Sequence, residues 1–172
     1  SDAHLEEVFD AGAETNVPDD VKWAGLDESQ RTAVKRLYAW IRSCVPDGAT
    51  SADLSTFKSE KFRDEISDYF DKAFLLTYYL WTDYFLAVDQ RAKNMMLRTW
   101  DGLIWYITYY DGDTQMGKRN DCFLVYDYTT DRDTYDAEAG KYAFEGRDSW
   151  LWNLVLANLD ADLKTQAQAL RG

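Results

Sequence analysis

Between Gly48 and Gly102 the chain contains neither glycine nor proline. A stretch of that length without the two strongest breakers favours long helices: one continuous rod, or two separated by a polar join near "VDQRAKN". Ile66, Tyr69, Phe70, Ala73, Phe74, Trp81, Tyr84, Phe85 and Val88 keep three- and four-residue spacing and are the expected buried stripe. The centre, "FLLTYYLWTDYFLAV" from Phe74 to Val88, is apolar or aromatic at twelve of its fifteen positions. A helix apolar on most sides is either a membrane span or the middle of a core. Fifteen helical residues reach about 22 Å against a hydrocarbon thickness of about 30 Å. The flanks Asp71, Lys72, Asp89 and Arg91 are charged and Asp83 lies inside, so a core helix is expected and a membrane is not an expected partner.

The rest of the chain supplies ordinary element signals. Asp27 precedes Gln30 in a capping-box arrangement, and Val34, Leu37, Tyr38, Ile41, Cys44 and Val45 follow at helical spacing up to Pro46. "GLIWYITYY" reads as a strand closed by the turn "DGD", and "CFLVYDY" and "KYAFEG" read as two more. A last helix opens at Asp148 or Ser149 and carries Leu151, Leu154, Val155, Leu159, Leu163 and Leu170 on one side. The expected fold is α+β and mainly α-helical: a long central helix or helix pair, a small antiparallel sheet of about three strands, and a C-terminal helix. Residues 1–26 are expected to be an acidic N-terminal arm with room for a short helix. Residues 27–172 are expected to form a single globular domain. The opening "SDAHLEE", without Met or an apolar leader core, is what a processed or trimmed product would show, and it leaves the compartment open.

The net charge of −12 is unevenly spread. Residues 1–29 hold nine acids and one base, and residues 111–138 hold eight acids and three bases; the segments between and after them nearly balance. Such a surface repels nucleic acid, whose binding rests on Lys and Arg at the phosphates. It attracts basic protein surfaces, cationic ligands or divalent metals.

Few catalytic chemistries survive inspection. The single histidine, His4, sits in the acidic N-terminal segment, where no packed neighbours would hold an imidazole for a triad. With only Cys44 and Cys122 besides, zinc sites built on several His or Cys ligands and disulfide-stapled scaffolds are excluded, though one bridge between the two is open. No GxxxxGK[ST] or GxGxxG turn occurs. Calcium is weighed for Asp111, Asp113, Asp127, Asp131, Asp133, Asp136 and Glu138. Counted from Asp131, however, position six of an EF-hand loop is Asp136 rather than Gly and position twelve is Tyr142 rather than Glu. No metal or cofactor is therefore assigned. Asp83, beside Trp81, Tyr84 and Phe85, is the one candidate for a desolvated carboxyl.

Aromatic residues make up 16% of the chain, and in the acidic region Tyr109, Tyr110, Tyr126, Tyr128, Tyr135 and Tyr142 alternate with carboxylates. Rings and carboxylates together pair with Lys and Arg by charge and by cation–π contact. The expected function is a non-enzymatic binding domain engaging a basic protein partner, in an inhibitor, immunity-type, accessory or nucleic-acid-mimic role. Its expected contact residues are Asp111, Asp113, Tyr126, Asp127, Tyr128, Asp131, Asp133, Tyr135 and Asp136. Two alternatives stand beside it: a carbohydrate-binding or carbohydrate-cleaving domain with several exposed Trp in a line or cleft, and a structural subunit of a larger assembly.

Overall fold

Helix α1 (Glu28–Ser43) starts where the sequence signals it. The Asp27 carboxylate accepts the Gln30 N–H at 2.8 Å and the Gln30 side chain accepts the Asp27 N–H at 2.8 Å, satisfying two otherwise orphaned donors. The Gln30 N–H and then the Ser29 hydroxyl hold the Asp27 carboxyl below its usual range. The computed structural model describes residues 22–85, 87–91, 94–110, 112, 115–116 and 149–171. After α1 come α2 (Ser51–Leu54), α3 (Glu60–Glu65), a 3-10 turn (Ile66–Asp68), α4 (Lys72–Tyr84) and a second such turn (Val88–Arg91). Strands β1 (Met95–Thr99) and β2 (Trp105–Tyr109) and helices α5 (Trp150–Asn158) and α6 (Asp160–Ala169) follow. The fold is mainly helical α+β with a C-terminal helix, as expected.

Three details differ from the sequence reading. First, the sheet has two strands among the described residues rather than about three: β1 and β2 pair antiparallel, with Met95 opposite Tyr109 and Thr99 opposite Trp105. The segments "CFLVYDY" and "KYAFEG" lie outside the described residues. Second, Met95 to Thr99 is a strand although Met and Leu are good helix formers; pairing with the β-branched and aromatic β2 overrides propensity. Third, the stretch is neither one rod nor two helices: it breaks at residues 55–59 and again at Tyr69–Asp71, well before "VDQRAKN". There the Trp105 N–H donates to Tyr69 O at 2.7 Å and Phe70 bridges Trp105 in parallel. The Asp71 carboxylate then accepts the Phe74 N–H at 2.9 Å and opens α4.

Periodicity located the helices better than it located their inner faces. Ile66 and Phe70 are buried as expected, but α4 buries Leu75, Leu76, Tyr78 and Thr82 and turns Phe74 and Tyr84 outward. A helix apolar on both sides carries no directional signal; its neighbours decide. Those are α6, tied by Lys72 to Asp162 at 2.8 Å and by the Gln166 amide donating to the Thr77 hydroxyl at 2.9 Å, and β2. Likewise α1 buries Ala33, Leu37, Trp40 and Cys44, while Val34, Ile41 and Val45 are only partly covered. Trp23, on the arm side of the expected boundary, is 5% exposed and lies beneath Arg31 and Lys35. No described helix is long and apolar enough to cross a membrane.

The core gathers Phe62, Ile66, Phe70, Leu75, Trp105, Ile107, Leu151, Trp152, Leu154 and Val155. Through it runs a column of planar groups: Phe62 stacks on Trp40 at 5.4 Å, Trp40 on Tyr69 at 4.2 Å, and the Arg36 guanidinium caps Tyr69 at 4.0 Å. On the far side Asn158 closes the fold by accepting the Ser59 N–H at 2.7 Å and donating to Phe57 O at 3.0 Å. Truncation of the central ring, Trp40→Ala, is expected to cost about 3–5 kcal/mol, read as a lowered urea midpoint at unchanged slope.

Cys44 is a free, buried thiol. Burial, reinforced by the Glu65 carboxylate, pushes it up to about 11, whereas an unfolded thiol ionises near about 8.5. The unfolded chain therefore loses this proton first, and stability is expected to fall as pH rises from about 8.5 towards 11. In a Cys122→Ser background, a thiol reagent at pH 8 should leave Cys44 unmodified until denaturant is added; rapid labelling of the native protein would refute its seclusion.

Candidate interaction surface

The C-terminal end of α4 collects rings. Trp81 meets Tyr109 of β2 edge-to-face at 4.6 Å and Phe85 at 5.3 Å, and Phe85 in turn meets Tyr84 edge-to-face at 5.1 Å. The Met116 N–H donates to Phe85 O at 2.6 Å, and the Gln115 amide donates to Gly112 O at 2.6 Å. These bonds fix the chain beside the rings before it runs on into residue 117. Tyr84 is 82% exposed and Met116 68%, so the cluster is anchored on its inner side and open on its outer one.

Asp83, the expected desolvated carboxyl, is in the same place but in the opposite environment. Its side chain is 65% exposed and faces Arg91 at 3.5 Å. Arg91 is the buried partner, with its guanidinium over Tyr79 at 4.5 Å. Asp83 is thus a surface carboxylate at the rim of an aromatic cluster, not an acid in an apolar pocket.

Elsewhere the body covers its rings with its own cations: Arg36 lies over Tyr69, Arg42 over Trp150, Arg98 over Trp100, and Arg31 with Lys35 over Trp23. This density exceeds the usual one per roughly 70–80 residues. Among the described residues no cation lies over Tyr84 or Tyr110, both of them exposed. The described residues carry thirteen bases and fourteen acids, so eleven of the twelve excess negative charges of the chain lie in residues outside them.

Of the residues expected to contact a partner, Asp111, Asp113, Tyr126, Asp127, Tyr128, Asp131, Asp133, Tyr135 and Asp136 all lie outside the described residues, as do the other calcium candidate, Glu138, and Cys122. Among the described residues no group of three or more His, Cys, Asp or Glu is placed to hold a metal. All seven Trp are described. Trp23, Trp40, Trp105 and Trp152 are buried, Trp81 and Trp150 partly so, and only Trp100 is fully exposed, so no line of exposed Trp forms. Trp100 belongs to a feature absent from the sequence reading, a groove between α1 and the β1–β2 turn, whose one signal was the "WDG" turn. No protein-family model matches the chain, and no curated protein or solved structure matches it.

A Cβ at Gly112 would collide with the Tyr109 hydroxyl and the Gln115 amide. Gly112→Ala is therefore expected to loosen the segment that carries Met116, costing about 1–3 kcal/mol. The near-UV circular dichroism of the Trp81–Tyr109 pair should diminish while helix content stays unchanged.

Proposed function

We propose that this chain is a non-enzymatic binding domain that engages a basic protein surface. The contact residues are Asp111, Asp113, Tyr126, Asp127, Tyr128, Asp131, Asp133, Tyr135 and Asp136, together with the exposed rim of Asp83, Tyr84, Tyr110 and Met116. The observation that carries the reading is the partition of charge and rings. A nearly neutral body commits six of its thirteen described cations to its own rings and several others to carbonyls and carboxylates, while the surplus carboxylates lie in residues 1–21 and 111–148. Tyr84 and Tyr110, exposed rings over which no described cation lies, are close to the start of the segment 111–148: Tyr110 precedes it directly, and Tyr84 packs on Phe85, whose carbonyl accepts the Met116 N–H. A partner bearing Lys and Arg would meet carboxylates for steering and ring faces for short-range contact. An inhibitor, an immunity-type protein, an accessory subunit or a nucleic-acid mimic would each use such a surface.

Capture from the native host followed by titration of the purified partner tests this. Affinity is expected to fall at least about tenfold between low and high salt, and to fall again in the Asp131→Asn, Asp133→Asn double variant. Tyr84→Ala should weaken binding without altering the salt slope. A partner whose affinity is indifferent both to salt and to the double variant would overturn the reading.

A further inference from the structure

The groove between α1 and the β1–β2 turn has a volume of about 750 Å³. Gly102, at φ +72°, brings the turn down onto α1: a Cβ built there would stand 3.6 Å from Ala33 Cβ. That approach makes the floor. Trp100, 79% exposed, and Leu103 form an apolar wall, and Glu28, Gln30, Thr32 and Asp101 line the polar side.

Which ligand fits follows from which polar groups are already spent. Arg36 donates to Leu103 O at 2.7 Å and Asp68 O at 2.9 Å. One Asp101 oxygen accepts the Leu103 and Ile104 N–H groups at 2.8 and 2.9 Å and the Thr99 hydroxyl at 3.1 Å. The Gln30 oxygen is held by the Asp27 N–H. What remains facing a ligand is the Glu28 carboxylate, the second Asp101 oxygen, the Thr32 hydroxyl and the Gln30 NH₂. The only cation on the lining is Arg36, and its guanidinium is engaged. The lining carries two carboxylates against this one cation, and Arg98 lies over Trp100 without being part of the lining, so a cation on an apolar stem finds surplus carboxylate charge and a long apolar wall.

We infer that this groove receives an arginine or lysine side chain from a protein partner, its stem along Trp100 and Leu103 and its head at Glu28 and Asp101. The inference rests on the reading that the partner is basic, and deepens it by naming a second point of contact away from the α4 rim. The chain itself shows the geometry required: Arg98 lies over Trp100 at 5.3 Å and Arg36 over Tyr69 at 4.0 Å. A guanidinium entering the groove would meet the same chemistry from outside.

The test uses the full isotopically labelled chain at low ionic strength, titrated with acetyl-Gly-Arg-Gly-amide and with an arginine-containing hexapeptide. The Trp100 indole N–H and the Gln30 side-chain amide are followed by NMR. Saturable shifts at both are expected. Read at Gln30, Trp100→Ala and Glu28→Gln should each weaken binding about two- to fivefold. Both side chains lie at the surface, so far-UV circular dichroism should be unchanged. The Asp131→Asn, Asp133→Asn variant should bind the peptides within about twofold of the parent. No saturable shift at these two reporters, no effect of Trp100→Ala, or shifts produced by a neutral oligosaccharide and not by the peptides would each overturn the assignment. Should the groove stay silent while partner affinity still depends on salt and on Asp131 and Asp133, the basic-partner reading stands and the groove alone falls.

Discussion

The Arg36 guanidinium joins three pieces of this fold: α1, the turn before α4 and the β1–β2 turn. Two of its five N–H donors go to carbonyls of different elements, Asp68 before α4 and Leu103 in the hairpin turn, while its plane covers Tyr69 at 4.0 Å. Beneath Tyr69 lie Trp40 and Phe62, so one side chain on α1 sets the outer end of the ring stack and the position of the hairpin. A lysine could carry the charge but could not satisfy two divergent carbonyls while stacking flat on a ring. Those carbonyls matter because they belong to irregular segments without ladder partners of their own, and an unpaired backbone group half-removed from water is costly. The groove holding Trp100 exists only because Arg36 and Gly102 draw the turn towards α1.

The same economy of cations runs through the whole body. Arg31, Arg42, Arg91 and Arg98 lie over rings, Lys58 donates to Ala157 O, and Lys72 and Lys164 pair with Asp162 and Asp160. The exposed ion pairs contribute little stability each, but they have a consequence for the field of the molecule. Cations already engaged within the body are not at hand to neutralise the carboxylates of residues 1–21 and 111–148.

How far these features were legible depended on whether a residue's role was local or relational. The Asp27–Gln30 box, the Ser149 cap, the Trp105–Tyr109 strand and the overall α+β class were readable because capping chemistry and residue type act over a few positions. The inner face of α4 was not, since Phe74, Leu75, Leu76, Tyr78 and Trp81 are all apolar or aromatic and only contact with α5, α6 and β2 decides which of them are covered. The helix break at Tyr69–Asp71 was hidden for a related reason: it is set by a hydrogen bond from Trp105, thirty-six residues away. Asp83 looked desolvated in sequence because its neighbours are rings, yet on a helix those neighbours point elsewhere. Of the Trp100 groove only the "WDG" turn was visible, because Gly102 needs Ala33 beneath it and nothing near either residue announces the other.

The acidic surplus lies in sequence segments other than those that make up the described body. The described body is close to neutral and its described carboxylates are largely occupied with caps, turns or ion pairs, as at Asp27, Asp53, Asp71, Asp101 and Asp162. The seven acids of residues 1–21, unaccompanied by any base, and the net −5 of residues 111–148 add like-signed charge to an already acidic chain. Like-signed charges of this kind repel one another. Salt relieves the repulsion in the free protein and weakens attraction to a basic surface, so the two contributions have opposite ionic-strength dependence. A sequence that needed only solubility would gain it from charge dispersed over the body with both signs interspersed. Concentrating a single sign in two segments is instead the charge pattern on which the proposed steering of a basic partner rests.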